Sequence, residues 1–277
     1  MSARRAVRPV VLVKLGGSLL TDKRRPNAAL PAVIRRLAGE LAAALAAKPA
    51  PRVVLGHGSG SFGHVAAARH RLAGGIAPGA RGRAQLPGVG ETQARAAELH
   101  RRVVSALAAA GVPAFSIAPS AALVAEGGHP AAWSTEPVAL ALRLGLLPVV
   151  YGDVVLDRAQ GVAICSTEQL FAALAERLPE HGFRATRALW LGATAGVLDA
   201  AGDTLAELAP GGAGAAAAGA AAGTDVTGGM RHRVDTALAL ARLGVESWIL
   251  DGRAPGALAA ALAGAPAGGT RVPARSR

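Results

Sequence analysis

Residues 10–23 of the chain read VVLVKLGGSLLTDK. Aliphatic residues surround Lys14 up to Leu15, and the pair Gly16-Gly17 follows at once. A continuous apolar run of this kind is typical of a strand that is buried on both faces of a parallel sheet. Glycines directly after such a run favour a turn. The stretch therefore predicts a buried parallel strand that ends in a glycine turn.

Similar apolar runs recur along the chain and predict further buried strands at 52–57, 113–118, 147–152, 188–193 and 246–251. Alanine- and leucine-rich segments with helical spacing lie between most of them, at 30–47, 91–110, 136–144, 167–178 and 231–243. This alternation indicates an α/β fold in which helices cover a mostly parallel sheet. Residues 153–166 predict a hairpin whose turn lies at 157–161.

The length of 277 residues fits one large domain, and we predict a single domain over residues 1–277. No stretch approaches the roughly 20 apolar residues that span a bilayer, so no membrane partner is expected. The start MSARRAVRPVVLVK leads into a strand and not into a cleavage site, which predicts a cytoplasmic location. The glycine- and alanine-rich residues 209–223 predict a flexible insertion, and the basic tail 271–277 a frayed end.

Positive charge is distributed unevenly in this chain. It has 30 Lys and Arg residues against 18 Asp and Glu, a formal charge of +12, and only three of the basic residues are lysines. No acidic residue occurs between Glu40 and Glu91, so this interval is expected to attract anions. The alternative is an arginine-rich surface that is merely solvated. Aromatic residues make up only 3%, too few for the stacking platforms of a single-strand binder, and no nucleic-acid partner is predicted.

The first candidate for phosphate binding is the turn Lys14-Leu15-Gly16-Gly17-Ser18. Glycines at a strand end let backbone N–H groups approach a polyphosphate closely. Lys14 can then reach the terminal phosphate oxygens, and Lys23 follows nine residues later. The GxxxxGK[ST] spacing of a P-loop is absent. The alternative is an ordinary strand-to-helix turn without a ligand.

The second candidate is GHGSGSFGH at 56–64, directly after a predicted strand. Gly58, Gly60 and Gly63 satisfy GxGxxG, but the acidic ribose-binding residue expected about 20 residues later is missing from the acid-free interval. A dinucleotide fold is therefore not favoured. What remains is a glycine-rich anion cradle with His64 at its far end, where an imidazole can donate to a phosphate oxygen. The alternative for His64 is an ordinary core or surface histidine.

The third candidate is TDVTGGMRHR at 224–233, which leads into a segment with helical spacing. Small residues before a helix N-terminus, followed by cations in its first turn, form a phosphate-facing arrangement. Basic residues at that end are otherwise unfavourable to the helix dipole. We therefore predict that an anion binds near Gly229 and Arg233.

Taken together, these elements resemble the amino acid kinase superfamily, and within it the isopentenyl phosphate kinases. The resemblance covers almost the whole chain and rests on KLGGS with a second lysine, GSGSFGH, GVGETQARAAELHRRVVSALAAAGVPAFSI, GLLPVVYGDVVLD and DVTGGM. It implies a three-layer αβα sandwich with a mostly parallel central sheet and a homodimeric state. It also implies an acceptor-substrate part at about 1–165 and a nucleotide-binding part at about 166–270.

The resemblance further implies which residues act on the substrates. The catalytic residues would be Lys14, Lys23 and His64. The acceptor phosphate would contact Gly58, His64, Ser166 and Thr167. ATP would contact Lys14, Gly16, Gly17, Ser18, Ser59, Gly196, Gly229 and Arg233. Asp153 matches a position close to the active centre, with a role open between positioning and structure.

The implied reaction is ATP-dependent phosphorylation of isopentenyl phosphate to isopentenyl diphosphate by direct in-line transfer. The attacking phosphate oxygen is already anionic, so no strong general base is required. Mg²⁺ is expected to accompany ATP, held by the phosphates and water, and no protein ligands to a metal are predicted. The single cysteine, Cys165, excludes an internal disulfide and a cysteine-based zinc site.

The sequence departs from the family pattern at three places. Arg233 stands where relatives usually have lysine, and 193–196 replaces a TDVDG-like element. Residues 166–169 replace an SGDD-like segment and keep Glu168 as the surviving acid. Two other functions stay open at this point. One is a fosfomycin kinase-like phosphotransferase, which shares the lysine pair and the histidine, and the other is a non-catalytic nucleic-acid-binding or regulatory protein.

Overall fold

The computed structural model describes residues 7–209 and 229–275. The strands are β1 Arg8–Leu15, β2 Val53–His57, β3 Ala114–Ser116, β4 Val124–Glu126, β5 His129–Ala132, β6 Leu147–Tyr151, β7 Asp153–Asp157, β8 Gly161–Cys165, β9 Phe183–Gly192, β10 Glu246–Asp251 and β11 Thr270–Val272. The helices are α1 Gly17–Leu20, α2 Pro31–Ala46, α3 Gly60–Arg69, α4 Gly79–Ala109, α5 Glu136–Leu144, α6 Thr167–Arg177, α7 Gly229–Arg242 and α8 Ala257–Leu262. Short 3₁₀ turns lie at Leu72–Gly74, Pro119–Ala121 and Leu178–His181.

Seven strands of the described ranges form one sheet in the order β11-β10-β9-β1-β2-β6-β3. Neighbouring strands are parallel, except that β11 runs antiparallel to β10. The quoted run around Lys14 is the central strand β1, which pairs with β2 and β9. Because parallel strands end at the same edge, the segments that follow β1, β2, β6, β9 and β10 gather on one side of the molecule.

Helices cover both faces of this sheet. Successive side chains of β1 point to opposite faces. Val10 and Leu12 pack into a core with α5, α6 and α7, whereas Val11 and Val13 pack into a second core with α2, α4 and α8. The predicted three-layer αβα sandwich with a mostly parallel sheet is therefore confirmed.

A smaller sheet of four strands, in the order β5-β4-β7-β8, extends from the main one. Only Gly152 separates the end of β6 from the start of β7. Its N–H donates to the carbonyl of His57 at the end of β2 (2.9 Å). After β8, Ser166 leads into α6. The predicted hairpin at 153–166 is thus confirmed, and both of its ends lie at the carboxyl edge of the main sheet.

Three expectations are corrected by the structure. The glycine-rich segment 56–64, for which no helix was predicted, becomes helical at Gly60, where α3 starts, and this helix carries His64. Helix α4 starts at Gly79 and not near residue 91. The tail is not frayed from Arg271, because Thr270–Val272 pairs with β10 and Arg271 forms ion pairs with Glu246 and Glu207.

The predicted insertion at 209–223 lies, apart from Ala209, outside the described residues. None of the helices in the described ranges is both long enough and apolar enough to cross a membrane.

Candidate active site

Two glycine turns meet at the carboxyl edge of the main sheet. β1 and β2 are parallel neighbours with Leu15 opposite His57, so the two strands end at the same level. Gly58 donates its N–H to the carbonyl of Leu15 (3.0 Å). A Cβ atom at Gly17 would lie 2.5 Å from the backbone nitrogen of Gly60, which itself has a positive φ of 53°. The turns therefore touch backbone to backbone and form the floor of one cleft.

The first of these turns opens the short helix α1. Gly16 donates its N–H to the carbonyl of Leu191 on β9 (2.7 Å), which fixes the turn to the sheet. α1 starts at Gly17 without a side-chain cap. The N–H groups of Gly17 and Ser18 have no acceptor within the helix and are suited to an anion. The predicted residues Gly16, Gly17 and Ser18 thus lie together at the cleft.

Lys14 forms a buried ion pair with Glu168 in the first turn of α6. Its side chain leaves β1 on the face that α6 covers, the face on which Val10 and Leu12 also pack. Lys14 is 7% exposed and Glu168 is 5% exposed, so the pair has little contact with water. The pair holds the ammonium group in one place below the glycine turns.

Burial and mutual attraction compete in this pair. Burial alone raises the pKa of Glu168, but the charge and hydrogen bond of Lys14, together with Arg233, bring that pKa below its usual value. Burial is the main reason that the pKa of Lys14 is lowered, and Glu168 offsets part of this effect. A nearby anion would favour the charged ammonium further. The site is therefore suited to bind an anion.

Arg233 of α7 adds a second buried cation. Its charge lowers the pKa values of both Lys14 and Glu168, which places the guanidinium close to the pair. A Cβ atom at Gly192 would lie 2.8 Å from one guanidinium nitrogen of Arg233, so the end of β9 leaves room for this side chain. Two cations therefore surround one carboxylate, and the group keeps a net positive charge.

His64 and Lys23 reach the same cleft from different elements. His64 lies on α3 and its ring is exposed at the cleft, yet the surrounding protein desolvates the ring and lowers its pKa. The positive charges of Lys14 and Lys23 lower this pKa further, whereas Glu168 raises it. Lys23 is exposed in the turn that follows α1. The three predicted catalytic side chains therefore lie within electrostatic reach of one another, and the imidazole is neutral at pH 7.

A small pocket opens beside His64. Its lining combines small, apolar and hydroxyl side chains and consists of Ser59, Gly63, His64, Ala67, Thr92, Ala96, Gly152, Asp153 and Ile164. The free volume is about 10 Å³, room for one water molecule. Asp153 is buried in the wall, and burial raises the pKa of its carboxyl group. The pocket therefore lies directly beside the second glycine turn.

The hydroxyl groups of Ser166 and Thr167 are engaged inside the protein. Ser166 forms a capping box with Gln169, in which its Oγ accepts the N–H of Gln169 (3.2 Å) and its own N–H donates to the Gln169 side chain (2.8 Å). Oγ1 of Thr167 donates to the carbonyl of His57 (2.7 Å). The N–H of Thr167, which has no acceptor within α6, can donate to an anion, and so can the O–H of Ser166, because its oxygen only accepts in the capping box.

Gly196 and Gly229, two of the predicted ATP contacts, lie in the segment after β9 and at the start of α7. A Cβ atom at Gly196 would lie 2.6 Å from Oγ1 of Thr270, so this glycine lets the segment after β9 pack against β11. Gly229 is the first residue of α7. Residues 224–228 of the third motif lie outside the described residues. The part that is described carries Arg233 to the ion pair.

Within residues 7–209 and 229–275, no three His, Cys, Asp or Glu side chains are grouped so as to hold a metal ion. The thiol of Cys165 is buried, which raises its pKa to about 12. The carboxylate of Glu168 is engaged by Lys14, and Oδ1 of Asp153 accepts the N–H of Val154 (2.9 Å).

Sequence reasoning missed Glu168 as the partner of Lys14, and it missed two buried histidines, His57 and His100. The available signal for Glu168 was its place in the first turn of a predicted helix that follows a predicted strand. His57 and His100 carried no signal beyond their positions in an apolar strand and in a helix.

The sequence model of the amino acid kinase family matches residues 9–251. The chain therefore belongs to the amino acid kinase family. The isopentenyl phosphate kinase of Methanothermobacter thermautotrophicus is 33% identical over 275 residues, which cover 95% of this chain and 98% of that relative. The isopentenyl phosphate kinase of Haloferax volcanii is 32% identical over 231 residues, or 83% of this chain and 88% of the relative.

A solved isopentenyl phosphate kinase structure superposes on the fold with a TM-score of 0.80 at 30% identity, covering 95% of this chain and 99% of the other. Within its family, the chain thus groups with the isopentenyl phosphate kinases, as its motifs predicted.

Proposed function

We propose that the protein transfers the terminal phosphoryl group of ATP to isopentenyl phosphate and forms isopentenyl diphosphate. The observation that carries the proposal is the meeting of Lys14, Lys23 and His64 above two glycine turns that touch each other. The relatives named isopentenyl phosphate kinase support the choice of substrate.

On the donor side, the triphosphate binds the buried cations and the backbone N–H groups around the first glycine turn. The residues assigned to ATP are Lys14, Gly16, Gly17, Ser18, Ser59, Gly196, Gly229 and Arg233. The position of Gly17 supports this assignment. A Cβ atom there would clash with Gly60, so no side chain covers the backbone N–H groups at this point of the cleft. Lys14 and Arg233 stabilise the charge that develops on the transferred group.

On the acceptor side, the phosphate monoester binds Gly58, His64 and the start of α6. The contact at Ser166 and Thr167 is assigned to the Ser166 hydroxyl, which only accepts from Gln169 and keeps its O–H as a donor, and to the backbone N–H of Thr167, because the Thr167 hydroxyl donates to His57. His64 is neutral in the free protein and donates one imidazole N–H to a phosphate oxygen, with Lys23 beside it. The hydrocarbon is placed beside Ala67, Ala96 and Ile164, where side chains must move to enlarge a pocket that now has room for one water molecule.

The chemistry consists of positioning and charge stabilisation. An oxygen of the acceptor phosphate forms a bond to the terminal phosphorus of ATP, and the bond from that phosphorus to the bridging oxygen of ADP breaks. The attacking oxygen is anionic at neutral pH, so no side chain has to remove a proton. Alignment of the two phosphates in contacting turns converts the encounter into an intramolecular reaction.

Mg²⁺ belongs to the proposal as a partner of ATP. Mg²⁺ usually keeps several waters and binds substrate phosphates with few protein carboxylates. The donor set fits this mode, since the carboxylate of Glu168 is already paired with Lys14. When bound, the ion would neutralise charge on the phosphate oxygens.

We further propose that the single domain has two parts with different roles. Residues at about 1–165 bind the acceptor substrate, and residues at about 166–270 bind the nucleotide. His64 and Gly58 in the first part, and Arg233 in the second, support this division, although Lys14 of the first part serves the donor. A homodimer and a cytoplasmic location complete the proposal. Light scattering of the purified protein would test the dimer.

The decisive experiment is a steady-state kinase assay with isopentenyl phosphate, dimethylallyl phosphate and fosfomycin. We expect efficient turnover of isopentenyl phosphate. Turnover of fosfomycin alone would assign the protein to the fosfomycin kinase-like alternative. Absence of ATP turnover together with steeply salt-dependent binding of DNA or RNA would support the non-catalytic alternative.

The role of His64 is tested by His64→Ala. We expect kcat/KM for isopentenyl phosphate to fall by about 100-fold or more, with ATP binding nearly intact. His129→Ala is the matched control, since His129 is exposed on β5 in the smaller sheet. An unchanged rate in His64→Ala would remove this residue from the mechanism.

A further inference from the structure

A line of hydrogen bonds runs from the second glycine turn through the protein interior to the sheet edge. Nδ1 of His57 lies 3.1 Å from the carbonyl oxygen of Gly58, and its Nε2 lies 3.0 Å from Nδ1 of His100 on α4. Nε2 of His100 lies 2.5 Å from Oγ of Ser116 on β3. His57 and His100 are buried, whereas Ser116 is exposed.

Three rings pack against one another along this line. The centroids of His57 and His100 are 5.3 Å apart, and Tyr151 stacks on both, at 5.6 Å and 4.2 Å. Burial lowers the pKa of His57 to about 4. Burial, with the charges of His57 and Arg101, lowers the pKa of His100 to about 3. Both imidazoles are therefore neutral at pH 7, and each carries one N–H.

Only one arrangement of protons allows every hydrogen bond of this line to form. The carbonyl of Gly58 can only accept, so Nδ1 of His57 carries the proton and Nε2 accepts. Nδ1 of His100 must then donate to His57, which leaves Nε2 of His100 as an acceptor. The hydroxyl of Ser116 donates to it. A backbone carbonyl at one end thus fixes the tautomer of both rings.

The carbonyl of His57 ties this line to the rest of the site. It accepts the N–H of Gly152 (2.9 Å) and the hydroxyl of Thr167 (2.7 Å). Gly152 leads into the smaller sheet, and Thr167 precedes Glu168, the partner of Lys14. Residue 57 therefore joins the second glycine turn, the hairpin and the helix that holds the buried lysine.

The Gly58 carbonyl also sets the direction of the next N–H. A trans peptide is planar, so the C=O of Gly58 and the N–H of Ser59 point in opposite directions. With the carbonyl turned to the His57 ring, the N–H of Ser59 is directed away from that ring. Ser59 lines the pocket beside His64.

We propose that His57 and His100 are positioning residues for phosphoryl transfer, both held as the Nδ1–H tautomer, and that their line with Ser116 orients the peptide between Gly58 and Ser59 for the acceptor phosphate. The kinetic part rests on the proposed function, because the acceptor role of Gly58 belongs to it. The tautomer part does not depend on it.

The tautomers are tested by nitrogen-15 NMR of histidine-labelled protein, with signals assigned through the variants below. We expect Nδ1–H signals for His57 and His100 at neutral pH and perturbation of the His57 signal by isopentenyl phosphate. Exposed His129 serves as the unperturbed reference. An Nε2–H or doubly protonated form of either buried ring would overturn the proposal.

The kinetic effect is tested with His100→Phe, which keeps a stacking ring but removes the donor to His57. We expect KM for isopentenyl phosphate to rise by roughly tenfold, while kcat and KM for ATP change by less than about twofold. His100→Asn restores a donor close to the Nδ1 position and should recover most of the lost affinity. An effect on kcat and both KM values alike, without recovery in His100→Asn, would point to a merely structural role and overturn the proposal.

Ser116→Ala gives a second test at the exposed end, in case His100→Phe does not fold. It removes the hydroxyl donor to His100 and should raise KM for isopentenyl phosphate by about twofold to fivefold. Ser105→Ala, an exposed serine on α4, is the matched control and should behave as the unmodified protein. Equal KM values for isopentenyl phosphate in Ser116→Ala and Ser105→Ala would contradict the positioning role of this line of hydrogen bonds.

The two proposals fail in different ways. If the unmodified protein does not phosphorylate isopentenyl phosphate, the proposed function fails, and the NMR measurement still decides the tautomers. If the unmodified protein is active but KM is unchanged in His100→Phe, the positioning role fails and the function stands.

Discussion

Lys14 and Glu168 are 154 positions apart in the chain and form one buried ion pair beneath the glycine turns. The strand β1 supplies the ammonium group and the first turn of α6 supplies the carboxylate. A flexible lysine that would otherwise sample many rotamers is thereby held in a fixed position. The mutual attraction of the two charges offsets the cost of taking them out of water.

Glu168→Gln should weaken both stability and catalysis. It leaves the ammonium of Lys14 buried beside Arg233 without a counter-charge, and we expect the free energy of unfolding to fall by about 3 kcal/mol. Urea denaturation measures this change, and an ATP analogue should restore part of it. Glu176→Gln, at an exposed position of the same helix, is the control. Equal stability of the two variants would contradict the importance of the pair.

Arg233 should be replaceable by lysine but not by an uncharged residue. Arg233→Lys keeps a cation near Lys14, and we expect kcat/KM for ATP within about fivefold of the unmodified protein. Arg233→Met should lower it by about 100-fold, because a charge-stabilising group is lost. Arg242→Met, at the exposed end of the same helix, is the control. Full activity in Arg233→Met would exclude a phosphate contact.

Gly17→Ala should force the two glycine turns apart. The added methyl would lie 2.5 Å from the nitrogen and 2.6 Å from the Cα of Gly60, and backbone atoms cannot move aside cheaply. We expect a loss of about 2 kcal/mol in stability and a higher KM for both substrates.

The control for this variant is Gly39→Ala on α2, where a methyl would meet no atom within 4 Å. It should raise stability by about 0.5–1 kcal/mol, because alanine favours a helix over glycine. A normal melting temperature and normal KM values in Gly17→Ala would show that the turns can separate without loss.

Acid should destabilise the fold through His57 and His100. The unfolded chain takes up protons on both near the ordinary pKa of 6.5, whereas the folded protein takes them up only near pH 4 and pH 3. The stability from keeping them neutral is therefore complete above about pH 6.5 and is lost as pH falls, by up to about 1.4 kcal/mol per pH unit for each residue. Denaturation curves from neutral pH down to about pH 5 measure this slope.

The same slope tests the contribution of the buried ring of His100. His100→Asn should lose the contribution of one proton. A slope that does not change in His100→Asn would mean that this ring is already charged in the folded state.

The main sheet could be predicted from the sequence because its strands are buried on both faces. The run ESWILD at 246–251 matches β10 at both ends, and helix 136–144 matches α5. The shorter strands β4 and β5 were missed, since strands of three or four residues around Gly127 and Gly128 show no usable alternation. α3 was hidden because its first residues are glycine and serine.

The site was predictable where one turn supplies several groups and not where distant elements meet. The motifs indicated Lys14 and His64, but pairing of Lys14 with Glu168 depends on how α6 packs over β1. The packing is set by Gly56, since a Cβ atom there would lie 2.4 Å from Thr167. Likewise, no local pattern connects His57 with His100, because these two residues meet only when α4 packs against the main sheet.

The single residue Gly152 between β6 and β7 has a consequence for how selectivity can evolve. Ser59, Gly63 and His64 in the pocket wall follow β2 of the main sheet, whereas Asp153 and Ile164 belong to the smaller sheet. Substitutions in the smaller sheet would therefore change the size of this pocket and leave the two glycine turns in place. Related proteins could in this way accept alkyl chains of different length and keep the same phosphate-binding residues.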